Sequence, residues 1–317
     1  MTARSVALVA MTVAILPAAL TGVAGVPQTP ATQKPQVVTA LGKQFFAKAD
    51  TDGAIAKASA ALAADPNNVD LVIAAARAHD VALQFNASIA LYTRAIEMAP
   101  NDVRGYRFRG HRYVSTRKFN LAVTDLERAL LLAPSSFDVV YHLGLAYFLS
   151  ARFPEAASTY RTCLDRKTPG TGLPAGWRDC AALAAATDRD DESRIAVSDW
   201  LYRSLRRAGG AEEAKILLSG IPDGLAIKEN EAYYRALLFY KGARTEAQVL
   251  SDEAFKENTG VTAGYGLANF YLAEGQAAKA CGLLRRLVQD ETHWNAFGFI
   301  GAEAELTRAN GPCGASK

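Results

Sequence analysis

The sequence predicts an all-α fold, a solenoid built from antiparallel helix pairs. Half of its 317 residues are hydrophobic, 21% are charged and no long biased tract occurs, so the chain can bury a large core. Alanine is abundant, whereas alternating β-branched or aromatic runs joined by Asn-Gly or Asp-Gly turns are nearly absent, which favours helices over strands. An internal period of 34 residues then indicates a solenoid.

Three columns of residues share this 34-residue spacing. They are Pro66, Pro100 and Pro134; Ala61, Ala95, Ala129 and Cys163; and Ala54, Ser88, Ala122 and Ala156. Small residues let two helices cross closely, and proline stops the second helix of a pair. Each pair leaves an apolar face that only the next pair can cover, so neighbouring pairs must stack.

The residues around these columns resemble the tetratricopeptide-repeat (TPR) family, whose unit carries W-x2-L-G-x2-Y, then A-x3-F, then A and P. First-helix matches are Leu41-Gly42-x-x-Phe45, Arg109-Gly110-x-x-Tyr113 and Leu143-Gly144-x-x-Tyr147. Second-helix matches are Ala54-x3-Ala58, Ser88-x3-Tyr92, Ala122-x3-Leu126 and Ala156-x3-Tyr160. The resemblance implies a right-handed superhelix in which the first helix of each pair lines a concave surface.

The N-terminal region is typical of a signal peptide followed by a linker. An apolar run from Val6 to Leu20 is followed by small residues that fit cleavage after Ala24. A membrane anchor is the alternative, but a spanning helix needs about 20 apolar residues and Pro17 interrupts this run. We therefore expect residues 1–24 to be removed from an exported, periplasmic or secreted chain without stable membrane insertion. Residues 25–35, rich in Pro, Thr and Gln, form the predicted flexible linker.

The repeats divide the rest of the chain. Residues 36–170 hold four predicted TPR repeats, residues 171–310 hold degenerate repeats with a C-terminal capping helix, and residues 311–317 form a tail. After a glycine- and proline-rich break, Pro174 is predicted to open a helix carrying Trp177 and Leu183. Later helices are predicted from Asp190 or Asp191 to about Arg207, at 228–242 with 244–258, and at 260–274 with 276–290.

A basic strip is predicted on the concave surface. Residues 103–124 contain six Lys or Arg and no acidic residue. The strip comprises Lys43, Arg77, Arg104, Arg107 and His111, with Tyr141 and Phe148 as an adjoining apolar pocket. Guanidinium groups bind carboxylates bidentately, so an acidic ligand would suit the strip. The alternative is a solvated face, with some of these side chains paired across adjacent helices.

The four cysteines are predicted to form two disulfides. Their even number, the expected oxidising compartment and the absence of C-x2-C argue against metal binding. Cys163 lies in a second-helix column and Cys180 in the predicted helix that should stack on it, while Cys281 and Cys313 flank the capping helix. We therefore pair Cys163 with Cys180 and Cys281 with Cys313; buried free thiols or another connectivity are the alternatives.

Catalytic chemistry is not expected. The motifs H-E-x-x-H and G-x-S-x-G and the Walker loop are absent, and the four histidines lack metal-ligand spacing. We therefore predict no catalytic residue, no metal and no cofactor. The net charge of +3 becomes +2 once residues 1–24 leave with their single arginine, which argues against nucleic acid as a partner.

Two functions of different classes remain. The first is a non-catalytic protein-protein interaction scaffold of the bacterial cell envelope, which binds a peptide or partner protein along the concave groove. The second is a small-ligand or polysaccharide-binding accessory protein of the periplasm. Its site would use the aromatic residues of the later half, which otherwise belong to the core: Trp177, Trp200, Tyr233, Tyr234, Tyr240 and Trp294. The sequence predicts neither the partner's identity nor the oligomeric state.

Overall fold

The computed structural model describes residues 34–187, 189–250 and 258–314, and it confirms the all-α solenoid of antiparallel helix pairs. The predicted signal peptide and nearly all of the predicted linker lie outside the described residues. Among the described helices, none combines the length and the hydropathy that crossing a membrane requires.

The N-terminal helices alternate with short turns. They are α1 (Ala54–Ala64), α2 (Val69–Val81), α3 (Phe85–Met98), α4 (Val103–Ser115), α5 (Phe119–Leu132), α6 (Phe137–Leu149) and α7 (Phe153–Leu164). Each packs on its neighbours in sequence, as expected of a solenoid.

The helix starts repeat with the same period as the sequence. Asn68, Asp102 and Ser136, spaced 34 residues apart, are the N-cap residues of α2, α4 and α6, and each side chain accepts a hydrogen bond from a backbone N–H of the first turn. Such caps stabilise a helix by about 1 kcal/mol each. The N-cap residues therefore repeat with the same 34-residue period as the apolar columns.

Glycine at the repeat crossings is required by close packing. A Cβ on Gly110 would lie 2.7 Å from Cγ of Leu126, and a Cβ on Gly144 would meet three ring atoms of Tyr160 within 2.7 Å. Both neighbours are fully buried, so neither can move aside into solvent. The glycine column thus sets the distance between the two helices of a pair.

The first predicted helix is instead a hairpin, which corrects the prediction from Leu41-Gly42. Strands β1 (Val37–Val38) and β2 (Gln44–Phe45) pair antiparallel. Gly42 adopts φ +77°, a turn conformation that glycine reaches without steric cost. The β-branched Val37 and Val38 favour the strand, so the glycine here makes a turn rather than a helix crossing.

The helix predicted from Pro174 is also corrected. Residues 165–179 form irregular chain, and a 3-10 turn (Cys180–Ala184) carries Leu183. Pro169, Gly170, Gly172 and Pro174 interrupt helical hydrogen bonding in this segment. The next predicted helix is confirmed as α8 (Asp191–Arg207), capped by Asp190, whose side chain accepts from the N–H of Ser193.

The remaining helices complete the solenoid. They are α9 (Ala211–Ser219), α10 (Glu231–Tyr240), α11 (Glu246–Val249), α12 (Asn258–Ala273), α13 (Ala277–Leu287) and α14 (Phe297–Thr307), with a 3-10 turn (Glu291–His293) before α14. Of the helix predicted at 244–258, the described residues up to 250 contain α11, and residues 251–257 lie outside the described residues. Helix α14 packs on α12 and α13 and so covers the end of the stack, as predicted for a cap.

The C-terminal segment, residues 290–307, also contacts the N-terminal hairpin. The ring of Trp294 stacks on that of Phe45 with centroids 4.7 Å apart. Arg117, in the turn between α4 and α5, donates to the backbone carbonyl of Trp294 at 2.8 Å and to the carboxylate of Glu303 at 2.5 Å. Residues 177 and 186 positions apart in sequence are thereby joined.

Both predicted disulfides are present. Cys163 in α7 is bonded to Cys180, with Cα atoms 4.9 Å apart. Cys281 in α13 is bonded to Cys313, with Cα atoms 5.3 Å apart. The first bond fixes the irregular chain after α7, and the second ties the residues after α14 back to α13.

Replacing Cys163 and Cys180 together with alanine is expected to lower the free energy of unfolding by about 3 kcal/mol. The disulfide restricts the conformational entropy of the unfolded chain, and the variant regains that entropy. Urea unfolding of the oxidised proteins measures the difference. The matched double variant Cys281→Ala, Cys313→Ala opens a longer loop, of 32 residues against 17, and should lose slightly more. Losses below about 1 kcal/mol in both variants would contradict a stapling role.

Candidate functional site

The first helices of the pairs meet the C-terminal segment around an open cavity of about 490 Å³. We call it the inner cavity. Its walls come from α4, α6, α8, α10, α12, the loop before α8 and the C-terminal segment. The lining residues are His111, Phe137, Tyr141, His142, Arg178, Ala196, Glu229, Asn230, Ala232, Tyr233, Thr262, His293, Asn295, Ala296 and Phe297.

Hydrogen bonds between aromatic side chains fix one wall. The hydroxyl groups of Tyr141 and Tyr233 are 2.8 Å apart, and the indole N–H of Trp200 donates to the Tyr141 hydroxyl at 3.2 Å. Burial raises the pKa of Tyr141 well above its usual value, and the neighbouring Tyr233 adds to the shift. Both tyrosines therefore carry their protons at neutral pH, and α6, α8 and α10 are held together behind the cavity.

Two histidines in close ring contact form a second wall. The rings of His111 in α4 and His142 in α6 lie 4.4 Å apart, centroid to centroid. The Nδ1 of His142 lies 2.7 Å from the backbone carbonyl of Asp138, which can only accept, so Nδ1 carries the hydrogen and Nε2 presents a lone pair.

Both of these imidazoles are neutral at neutral pH. Burial lowers the pKa of His111 well below its usual value, with further lowering from Arg112, His142 and Arg107. Burial likewise lowers the pKa of His142, and Arg107 contributes the next largest lowering. The wall is thus polar and uncharged, backed by guanidinium groups.

The C-terminal segment supplies the opposite wall. The ring of Phe297 lies 5.3 Å from that of His111 and 5.9 Å from that of His142. His293 also lines the cavity, and its Nε2 is buried without a hydrogen-bond partner among the described residues. Since buried polar atoms are rarely left unpaired, this nitrogen is a natural point of contact for a ligand.

The predicted strip is only partly brought together at the cavity. His111 and Tyr141 line it, whereas Phe148 is fully buried in the core. Lys43 lies on the hairpin and pairs with Glu291 at 2.5 Å. Lys43 is thus paired with the C-terminal segment and is not among the lining residues.

The arginines of the strip are engaged to different degrees. Arg107 pairs with Asp138 of the next first helix at 2.7 Å, and Arg104 with Asp70 of the preceding one at 2.6 Å. These are the pairings across adjacent helices that the alternative interpretation expected. Arg77 is exposed, and its guanidinium lies over the ring of Phe108 at 5.3 Å.

The aromatic residues of the later half divide between core and cavity. Trp200, Tyr234, Tyr240 and Trp294 are buried. Tyr233 lines the cavity, and half-buried Trp177 packs against Phe108 of α4 at 6.1 Å. The core interpretation therefore applies to four of these six rings.

Sequence reasoning missed several lining residues. His142 stands 31 residues after His111 and so falls outside the 34-residue columns. His293 and Phe297 reach the cavity through the packing of the C-terminal segment, which no periodicity indicates. The run Trp294-x2-Phe297-Gly298, which resembles a first-helix motif, was the available sign that this segment adds another inner helix.

Comparison with known proteins gives partial matches. No family model matches the chain. Small glutamine-rich tetratricopeptide repeat-containing protein 2 of Saccharomyces cerevisiae is 30% identical over 99 residues, which is 28% of this chain and only 29% of the length of that relative.

Solved structures of TPR proteins match more of the chain at lower identity. YrrB, described as a TPR protein with an unusual peptide-binding site, is 15% identical, with a TM-score of 0.42 over 75% of this chain and 95% of YrrB. A tetratricopeptide repeat protein from Parabacteroides merdae is 14% identical, with a TM-score of 0.42 over 80% of this chain and 91% of that protein.

Proposed function

Since the chain is built from TPR-type helix pairs, we propose that it is a non-catalytic protein-protein interaction scaffold. The inner cavity carries this proposal, because it opens on the surface formed by the first helices and has a volume of about 490 Å³. Ligand sites in proteins commonly span about 300–1,000 Å³. A cavity of this size takes a few residues of a peptide or a protruding loop of a partner protein.

The chemistry of the lining suits a peptide. The rings of Phe137, Tyr141 and Phe297 provide apolar contact, and Asn230 and Asn295 provide amide donors and acceptors. An extended peptide presents both apolar side chains and backbone polar groups, so the mixture matches its surface. The charged rim, with Arg178 and Glu229, would orient the peptide.

We place the scaffold in the bacterial cell envelope. The predicted signal peptide directs export, and two disulfides fit an oxidising compartment. We assign no reaction to the cavity. His142 donates to a backbone carbonyl instead of a carboxylate, so the histidine pair lacks the oriented base of a hydrolytic triad.

The second candidate function, a small-ligand or polysaccharide-binding accessory protein, is favoured by one observation. Aromatic rings and planar polar side chains line the same open cavity, and sugars stack on such rings while their hydroxyl groups bond to amides. Both candidates use the inner cavity, so they differ only in the ligand that fills it.

The test is selection of peptides from a random display library, followed by binding to two variants. Asn295→Trp adds a ring at an exposed lining position and should fill the cavity. Gln289→Trp adds the same ring at an exposed position outside the lining. We expect selected peptides to bind wild type and Gln289→Trp alike, and Asn295→Trp at least about tenfold more weakly, a loss of about 1.4 kcal/mol.

A glycan array probed with the same three proteins separates the candidates. Peptides that bind all three proteins equally would contradict the cavity as the binding site. Enrichment of glycans, but not peptides, with the same sensitivity to Asn295→Trp would favour the accessory protein.

A further inference from the structure

We propose that the inner cavity is a proton-coupled carboxylate site, in which imidazole side chains take up a proton from solvent as the acid binds. The carboxylate is either an acidic side chain of a peptide or a small free dicarboxylate. This inference rests on the same cavity as the proposed function and names the chemistry that the cavity recognises.

The convergence of three histidines carries the inference. The described chain has four histidines, and His111, His142 and His293 all line this one cavity although they come from three separate elements. The Nε2 of His293 is buried and has no partner among the described residues, and the Nε2 of His142 is left free by the bond at Nδ1. Ring nitrogens that lack a partner in the wall of a cavity can bond to a ligand without breaking an existing hydrogen bond.

The charges behind the cavity favour an anion. Arg107 and Arg112 lie in α4 beside His111, and the Nε atoms of both are buried without hydrogen-bond partners among the described residues. The ion pair of Arg112 with Asp80 is long, at 3.7 Å. The positive charges of these guanidinium groups are thus only partly compensated, and an anion in the cavity would compensate them further.

A metal ion does not account for the histidines. The described residues include no group of three or more His, Cys, Asp or Glu side chains placed to hold one. The rings of His111 and His142, tilted by 47° with centroids 4.4 Å apart, make a packing contact of two neutral rings. Imidazoles that cannot share a metal can still share an anion, since each becomes a donor at both nitrogens when protonated.

Proton uptake follows from the surroundings of these rings. Titratable and charged groups surround the histidine rings on every side. They are Arg107, His111 and Arg112 of α4, Asp138, Tyr141 and His142 of α6, Arg178 of the loop before α8, Glu229 and Tyr233 at α10, and Asp290 and His293 of the C-terminal segment. Burial and the arginines keep the pKa of His111 and of His142 low in the unliganded protein. A bound carboxylate raises the pKa of a nearby imidazole, so binding and protonation strengthen each other.

The opposing group is Glu229, the one carboxylate among the described lining residues. It is exposed, whereas the histidine wall is buried, so water screens its repulsion of a bound acid more strongly. Arg178 lines the cavity as well and offsets this charge.

Isothermal titration calorimetry tests the inference with three probes: succinate, the blocked peptide acetyl-Gly-Glu-Ser-Glu-Gly-amide, and the same peptide with Gln in place of Glu. Titrations between pH 5.5 and 7.5 in buffers of different ionisation enthalpy measure affinity and proton uptake together. We expect at least one carboxylate probe to bind about tenfold or more tightly at pH 5.5 than at 7.5, with net proton uptake, because one pKa unit of coupling corresponds to a factor of ten. The Gln peptide should bind weakly and without pH dependence.

Two variants locate the proton. His142→Asn removes one imidazole of the histidine pair, while the new amide can still donate to the Asp138 carbonyl, and it should reduce both proton uptake and the pH dependence. His79→Asn is the matched control, because His79 lies on α2, bonds to Gln84 at 2.8 Å and is not among the lining residues. Binding should be unchanged in this control. Circular dichroism confirms that each variant is folded, and wild-type calorimetry alone decides the question if a variant is not.

The outcomes separate this inference from the scaffold proposal. Equal affinity at both pH values, proton release, or no binding of either carboxylate probe would overturn the proton-coupled site. If display-selected peptides still bind wild type more tightly than Asn295→Trp, the scaffold proposal holds without the proton-coupled site. If only succinate binds with proton uptake, the carboxylate site stands and the ligand is a small molecule.

Discussion

Replacing Arg203 with methionine is expected to lower the free energy of unfolding by about 3–5 kcal/mol, because it leaves the carboxylate of Asp199 buried without its counter-charge. The two side chains, one helical turn apart in α8, form an ion pair in which Arg203 is 1% and Asp199 0% exposed. The guanidinium also lies over the rings of Trp200 at 4.6 Å and Tyr265 at 5.6 Å. Urea unfolding at pH 9, where the carboxyl of Asp199 is most fully ionised, measures the loss.

The pH dependence of this loss identifies its cause. Burial already raises the pKa of Asp199 to about 6, against the opposing charge of Arg203. Without the arginine this pKa rises further, while the unfolded chain keeps a value of about 3.9. The part of the deficit that comes from the unpaired charge is therefore full above the folded pKa of the variant, and it shrinks as the pH falls from that value toward about 6, the folded pKa of Asp199 in the wild type.

A compensating variant is the control. Arg203→Met with Asp199→Leu removes both charges, and it should recover most of the lost stability, because apolar residues of similar volume can replace a buried pair at little cost. If the double variant is no more stable than Arg203→Met, the loss arises from altered packing of the rings and not from an unpaired charge.

The repeat part of the fold could be predicted because its determinants are local and periodic. The caps Asn68, Asp102 and Ser136 and the crossing residues Gly110 and Gly144 each act within one helix pair, so a single sequence shows them. The hairpin was not predicted because Gly42 falls in the glycine column of the repeat, although it forms a turn with positive φ. Sequence spacing alone does not distinguish these two uses of glycine.

The cavity could be predicted only in part because it depends on contacts between distant segments. His111 and Tyr141 belong to repeat helices and were found, whereas His293 and Phe297 reach them across more than 150 residues of chain. The packing that brings these segments together uses Arg117 and Glu303, which lie 186 residues apart. No column of the repeat connects such positions.

Replacing Arg117 with methionine is expected to lower the free energy of unfolding by about 3–5 kcal/mol, because the buried carboxylate of Glu303 would lose its guanidinium partner. Glu303 is 4% exposed, and Arg117 donates to it through Nε at 2.9 Å and through Nη2 at 2.5 Å. Burial raises the pKa of Glu303 although Arg117 opposes the shift. The same guanidinium holds the carbonyl of Trp294, so the C-terminal segment should loosen from the hairpin.

Hydrogen exchange distinguishes local loosening of the C-terminal segment from a general loss of stability. In Arg117→Met we expect faster amide exchange in β1, β2 and residues 294–307, with α5 to α7 changed less, because local opening exposes only the contacts that are lost.

The matched control is Lys43→Met, which breaks the neighbouring pair with Glu291, a residue 49% exposed. An exposed pair contributes at most about 1 kcal/mol. If Arg117→Met costs no more than Lys43→Met, the buried contact does not hold the C-terminal segment in place. The inner cavity would then owe its wall of His293 and Phe297 to the packing of α14 on α12 and α13 alone.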